Sequence, residues 1–246
     1  MTDRPRETPL TDEVTPWMHG LAFLTRLGLA GLTRVRLEGD LAAIPATGPI
    51  ILAANHASNL DPIVMASVVL PKVRRRFQWL GKKELFDWPI LGWVARNGGV
   101  HPVDRAAADV EAFRLARRIL DEGYVLFVFP EGTRSPDGRL QEARDGTAVL
   151  ALRTDAPILP VGIAGSHGVW PRGQKLPHPG GRVTIRVGTP FRLSEVLPEG
   201  TDRRVAKGLA TTHIMRAIAA LLPPDQRGPY ADGEVHAIRP PAPPER

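Results

Sequence analysis

Apolar residues recur along the chain with two alternating periods. Trp17, Met18, Leu21, Leu24, Leu27 and Leu32 return mostly at three- and four-residue intervals, with His19, Thr25 and Arg26 between them, and this predicts an amphipathic helix over 17–32. Short segments at 35–37, 49–54, 77–80, 100–103, 124–129, 158–163 and 183–187 predict strands, that at 49–54 a compact apolar run. Helical spacing separates them at 62–70, 89–96, 106–121, 147–153 and 203–222. The run at 124–129 has no polar interruption, as expected of a strand buried on both faces. Strands alternating with helices predict an α/β fold: a single domain with a mixed, largely parallel sheet flanked by helices, preceded by the N-terminal amphipathic helix. The expected organisation is an N-terminal segment 1–33, a domain over 34–222 and a tail over 223–246 that contains seven prolines. Residues 1–15 are polar and expected to be loose, and the tail is expected to wrap the surface or stay unordered.

Composition narrows the chemistry. The 246 residues include no cysteine, which removes disulfides, thiolate metal sites and cysteine nucleophiles. Lys and Arg number 32 against 26 Asp and Glu, a net charge of +6 that suits an anionic partner: nucleic acid, a lipid surface or a phosphorylated small molecule. The first residues mix signs, contain Pro5 and lead into no apolar core of a signal peptide, so a cytoplasmic location is expected. No run approaches the roughly 20 apolar residues of a membrane span.

Two segments carry candidate chemistry, each at the end of an apolar strand, where open α/β sheets place their ligands. The first is Asn55-His56-Ala57-Ser58-Asn59-Leu60-Asp61. On a regular helix, positions five apart diverge by about 140°, so His56 and Asp61 meet only if His56 lies in a turn and Asp61 at the start of the next helix. Read singly, Asp61 before Pro62 is a helix N-cap; read as a pair, it orients a general base. The second is Phe129-Pro130-Glu131-Gly132-Thr133-Arg134-Ser135, in which Gly132 permits a tight turn and Arg134 offers a planar fork for an anion. Taken alone, it also reads as a polar turn.

Together these segments resemble the glycerolipid acyltransferase family, of the lysophosphatidic acid acyltransferase type. The blocks Gly99-Val100-His101-Pro102-Val103-Asp104-Arg105 and Ile158-Leu159-Pro160-Val161-Gly162-Ile163 agree in order, and the resemblance spans roughly residues 35–190. It implies acyl transfer from acyl-CoA or acyl-carrier protein to the hydroxyl of a lysophospholipid acceptor, without a cofactor, a metal or a covalent enzyme intermediate. His56 would be the general base and Asp61 its orienting carboxylate. Arg105, Glu131, Gly132, Thr133 and Arg134 match acceptor-binding positions. Arg105 and Arg134 suit a phosphate, backbone N–H groups around Gly132 would add to the site, and Glu131 would orient an Arg or bind an acceptor hydroxyl. His101 stands where the family usually has an apolar residue and is read as structural or as rim. Residues 142–146 lack the family's aromatic and carry Asp145 where a basic residue is common.

The helix at 17–32 either packs on the domain or lies in a membrane interface. In the second case Trp17, Leu21 and Leu24 contact an anionic membrane surface, helped by Lys82 and Lys83 and by the basic run Lys72, Arg74, Arg75 and Arg76. The expected location is then peripheral, on the cytoplasmic face of the cell membrane. Competing readings are an acyltransferase for a lyso-ornithine lipid or glycolipid, and a non-catalytic basic lipid-binding protein. No nucleic-acid-binding signature occurs, and Gly165-Ser166-His167-Gly168 supplies no nucleophile elbow of a serine hydrolase.

Overall fold

The computed structural model describes residues 8–73, 75–103 and 109–231. Seven strands form one sheet in the order β1-β7-β6-β2-β5-β3-β4. They are β1 (Arg34–Glu38), β2 (Ile50–Ala54), β3 (Phe77–Lys82), β4 (Val100–Val103), β5 (Val125–Val128), β6 (Ile158–Ala164) and β7 (Arg182–Val187). From β6 to β4 all neighbours run parallel; β7 pairs antiparallel to β6, and β1 parallel to β7. The mixed, largely parallel sheet expected from the alternating pattern is therefore present.

Alternation along β2 shows how the core divides. Ile50, Leu52 and Ala54 face one apolar layer, while Ile51 and Ala53 face the other, and all five are buried. The first layer is closed by α1 (Pro16–Leu32) and by α2 (Asp61–Val64), which widens into a π-type turn over Met65–Val69. Opposite lie α4 (Asp109–Asp121), α5 (Gly146–Thr154) and α7 (Arg203–Ala220). Between β3 and β4 runs α3 (Pro89–Asn97), and a short α6 (Leu193–Val196), which no periodicity announces, follows β7. A strand buried on both faces needs apolar residues at every position, which is why β2 and β5 read as unbroken runs.

The structure corrects two expectations. Residues 8–14 are held in place: Thr8 Oγ1 donates to Val100 O at 2.7 Å, and Gln78 Nε2 to Thr11 O at 2.8 Å. Arg75 and Arg76 are buried, not part of a surface cluster. Arg75 pairs with Asp12 at 3.0 Å and donates to the carbonyls of Pro45, Gly48 and Gly123, while Arg76 donates to Arg96 O. A buried guanidinium needs such partners, because burying it unpaired costs far more than the bonds return. Arg74 lies outside the described residues. At the other end, residues 223–231 dock back on the domain, Leu140 N–H donating to Gln226 O at 2.8 Å.

Candidate active site

The site begins where β2 stops. Asn55, buried just past the last β2 residue, extends the ladder with its side chain: Nδ2 donates to Ile163 O at 2.9 Å, and Oδ1 accepts from Ile163 N–H at 2.7 Å. The backbone then turns, and His56 opens the connection to α2. Asp61 is the first residue of that helix, with Pro62 behind it.

Asp61 does not cap α2. The residue before it, Leu60, already has helical dihedrals, and no side-chain cap forms. Instead the fully buried Asp61 carboxylate points back into the turn. Its Oδ2 accepts the backbone N–H groups of Ala57 and Ser58, each at 2.7 Å, and lies 2.8 Å from His56 Nδ1. An oxygen already receiving two N–H donors acts as acceptor to the third, which assigns the imidazole proton to Nδ1 and leaves the lone pair on Nε2. The ring stacks on Phe129, with centroids 3.9 Å apart and planes 11° from parallel, and the His56 side chain is 16% exposed. Held on one edge and one face, with access to solvent, the ring leaves Nε2 as the nitrogen able to accept a proton.

The loop after β5 grips the same residue through its backbone. Glu131 Oε1 accepts His56 N–H at 2.6 Å, and Ser135 N–H donates to His56 O at 2.7 Å. Glu131 Oε2 accepts Gln141 N–H at 2.9 Å, so both oxygens are engaged within the protein, and the residue is 4% exposed. Burial pushes its carboxyl up to about 7, against the opposing pull of the N–H groups of His56 and Gln141; the Asp61 charge adds to the rise. Here Glu131 braces the backbone of His56, where the sequence suggests a group facing an Arg or an acceptor hydroxyl. Gly132 has φ +70°, and a Cβ there would press on Arg144 Cδ and Nε at 3.2 Å, so the turn requires glycine. Its N–H donates to Phe129 O at 2.9 Å and Thr133 O accepts from Gln141 Nε2 at 3.4 Å, which commits the loop's polar groups to its own shape.

Arg134 turns the other way. Its guanidinium bonds Asn59 Oδ1, and its carbonyl oxygen accepts from Arg172 Nη1 at 3.4 Å. Arg172 comes from the loop after β6, which docks on the His56 turn: Ser58 Oγ donates to Trp170 O at 2.6 Å and Asn59 N–H to the same oxygen at 3.1 Å. Asn59 and Arg172 thus join the site although no spacing in the sequence singles them out. Arg105 lies outside the described residues. His101 is buried on β4, its Nε2 2.9 Å from Gln78 Oε1, and burial followed by the charges of Arg76 and Arg118 lowers its pKa to about 4. Asp145 explains the departure at 142–146: it pairs with Lys207 at 2.7 Å and accepts from Thr211 Oγ1 at 3.0 Å, tying α5 to α7.

Beside the His56 turn opens an apolar cavity of about 570 Å³ between α1, α2 and α3, lined among others by Asn59, Trp170, Leu21, Leu91 and Val94. Trp17, which lines the cavity, meets Trp93 of α3 with ring centroids 5.0 Å apart. Met18, Ala22 and Leu29 of α1 are buried, while Leu21 is 38% and Leu24 63% exposed. Lys82 and Lys83 are exposed at the C-terminal end of β3.

A histidine braced in this way at the carboxyl edge of a parallel sheet is accompanied by a family match: the acyltransferase family model covers residues 34–164, more than half of the chain, and the chain belongs to that family. Among curated relatives, it is 29% identical over 181 residues to the chloroplastic 1-acyl-sn-glycerol-3-phosphate acyltransferase LPAT1 of Arabidopsis thaliana, covering 72% of this chain and 49% of that protein. It is 31% identical over 147 residues to a 1-acyl-sn-glycerol-3-phosphate acyltransferase of Streptococcus pneumoniae, covering 59% and 51%. The chain spans about half the length of the curated relatives it matches. The crystal structure of the 1-acyl-sn-glycerophosphate acyltransferase PlsC from Thermotoga maritima superposes with a TM-score of 0.63 at 27% identity, covering 80% of this chain and 78% of that one.

Proposed function

We propose that this protein transfers a fatty acyl group from acyl-CoA or acyl-carrier protein to the free hydroxyl of 1-acyl-glycerol-3-phosphate, giving phosphatidic acid. The observation that carries the reading is the His56–Asp61 pair, 2.8 Å apart, with Nε2 of the ring left to act. Nε2 takes the proton of the acceptor hydroxyl as its oxygen attacks the thioester carbonyl. The tetrahedral intermediate then expels the thiolate, which recovers the proton from the imidazolium, and Asp61 stabilises that cation throughout. A thioester is already activated, so no covalent enzyme intermediate and no cofactor is needed. The acceptor phosphate is assigned to Arg134, with Arg105 as its partner from the neighbouring block, and Gly132 and Thr133 shape the turn that presents Arg134. The cavity of about 570 Å³ is within the size range of small-molecule sites and suits an acyl chain by its apolar lining.

Both substrates carry long acyl chains, and we place the protein peripherally on an anionic bilayer, at the cytoplasmic face where such thioester donors occur. The exposed apolar side of α1, with Leu21 and Leu24, supports this, as do the nearby Lys82 and Lys83. Among the described residues no helix is long and apolar enough to cross a membrane.

The test is thioester consumption by purified protein with palmitoyl-CoA and a panel of lyso-acceptors, run beside His56→Ala. We expect phosphatidic acid as product, and a loss of about 10²- to 10⁴-fold in the variant. Wild-type turnover in His56→Ala would remove the mechanism. Turnover confined to a lyso-ornithine lipid or a glycolipid would keep the mechanism and replace the acceptor.

A further inference from the structure

The N-terminal helix is not the only apolar surface at the cavity mouth. On α3 and the residue that precedes it, Trp88 is 69% exposed, Ile90 82% and Trp93 52%, while Gly92 and Ala95 face inward and are buried. A nine-residue helix seldom turns side chains of this size to water without a partner, because contiguous apolar patches mark an interaction site. This patch is continuous with the exposed side of α1. The Trp17 and Trp93 rings touch, and Leu21 and Leu91 each both line the cavity and reach the surface, at 38% and 46% exposure. The two helices are therefore the two lips of one opening that leads toward Asn59 and the His56 turn.

The chemistry of the lips selects a lipid. Along α1 the charged side chain is Arg26 and along α3 it is Arg96; neither helix carries a carboxylate. Lys82 and Lys83 open the turn into α3, and that turn also carries the exposed Glu84 and Asp87. Indole rings at the ends of both lips are suited to the boundary between headgroups and acyl chains, where an amphipathic ring keeps one edge wet. A protein partner of matching chemistry would need an acidic rim, whereas an anionic bilayer supplies negative charge and hydrocarbon at once.

We infer that α3 is a second lipid-inserting element: Trp88, Ile90 and Trp93 enter the headgroup boundary of an anionic bilayer beside α1, so that the cavity opens directly into the leaflet between the two helices. This deepens the membrane reading above and rests on it. In physical terms, an acyl chain then passes from leaflet to cavity without crossing water, and the reacting headgroup stays at the interface beside Arg134.

The chain has no cysteine, so single cysteines placed at Leu24, Ile90 and Val110 each carry an environment-sensitive fluorophore without background. Val110 is 60% exposed on α4, across the sheet from α1, and serves as the reference. With vesicles containing phosphatidylglycerol, labels at 24 and 90 are expected to brighten and shift to the blue, and the label at 110 to stay unchanged. A response at 24 without one at 90 overturns the inference and leaves α1 as the sole membrane contact. Silence at both overturns the membrane reading as well. A blue shift at 90 that grows with protein concentration in the absence of vesicles overturns it in favour of contact between copies, and an equal response at all three positions overturns site-specific insertion. As a second measurement, Ile90→Asp is expected to weaken vesicle partitioning about tenfold. Its turnover on a short-chain, monomeric acceptor and donor should match wild type, since Ile90 does not line the cavity; unchanged partitioning overturns the inference.

Discussion

The carboxylate of Glu131 holds the backbone of His56: Oε1 accepts its N–H at 2.6 Å inside a site where Glu131 is 4% exposed. Seventy-five positions separate the two residues in the chain. They meet because β2 and β5 are parallel neighbours, with Ala53 opposite Val128, so that both strands deliver their next residues to the same sheet edge. The two segments that carry the family resemblance are thus one structure, in which His56 belongs to the first and the carboxylate that holds its backbone to the second.

Replacing Glu131 by Gln separates bracing from substrate binding. The amide keeps one acceptor oxygen but cannot accept both His56 N–H and Gln141 N–H, and a buried N–H left without a partner costs about 1 to 3 kcal/mol. We expect kcat to fall roughly tenfold or more with KM for the acceptor nearly unchanged. Steady-state kinetics at varied acceptor decide the point; a rise in KM at constant kcat would return Glu131 to the acceptor site.

Glu131 and His101 also make opposite demands on pH. The native Glu131 carboxyl keeps its proton up to about 7, so between the unfolded value and 7 the native state binds more protons and stability falls as pH rises, by up to roughly 3 kcal/mol. His101 stays neutral in the native state down to about 4, so stability falls as pH drops from about 6.5 toward 4, by a similar amount. Across about pH 4.5 to 6.5 the two slopes oppose each other. Glu131→Gln should leave a protein that weakens in acid, and His101→Gln one that weakens as pH rises, both steeper than wild type. Urea midpoints at a series of pH values measure this, and unchanged slopes would mean that neither group titrates as described. His101→Gln should also retain kcat, as expected of a residue bonded to Gln78 inside the sheet.

The fold was legible because its signals are strong and local. Every strand of the sheet lies under an apolar or alternating segment, and β2 and β5 declare themselves by having no polar position. The site was legible in part. His56 and Asp61 stand five apart, and only their shared turn makes them partners. Asn59 and Arg172 escaped notice because a loop after β6 folds back over the His56 turn, a contact that no short-range pattern encodes. Arg75 and Arg76 misled for the same reason: a basic run looks like surface until backbone carbonyls from Pro45, Gly48 and Gly123 close around it. The exposed residues of α3 look in sequence like any short amphipathic helix, since periodicity fixes a face but not which face meets the core.

Asp61→Asn tests the orientation of the base. An asparagine oxygen can still accept from Ala57, Ser58 and His56 Nδ1, but the negative charge opposite the imidazolium is gone, and the amide nitrogen falls where Asp61 Oδ1 is buried without a partner among the described residues. An unsatisfied buried donor costs about 1 to 3 kcal/mol of stability, and kcat should fall by about 10²- to 10⁴-fold. Thermal unfolding and turnover together check it; a variant of wild-type activity would show that Asp61 does not support the base.

Arg134→Ala should raise KM for a phosphate-bearing acceptor about tenfold or more, the value of a charge-assisted bond, and leave KM for a neutral monoacylglycerol nearly unchanged. Equal effects on both acceptors would mean that Arg134 serves the loop through Asn59 and not the phosphate.

Ala95→Leu probes the acyl chain. Ala95 is 5% exposed, faces inward from α3 and lines the cavity, so a larger side chain takes up space that the longest donor needs. Because Ala95 lines the cavity, the added methylenes are expected to project into it and to bring less than the strain of about 1 to 3 kcal/mol that overpacking brings to a closed core. Nothing in the substitution touches His56, Asp61 or Arg134. We therefore expect kcat/KM to drop most for the longest acyl-CoA donors and to hold for shorter ones, moving the optimum of the chain-length profile downward. A series of acyl-CoA substrates of increasing length measures the profile directly. A uniform drop at every length would mean that the cavity does not receive the acyl chain, and the path from leaflet to His56 would then have to be sought elsewhere on the sheet edge.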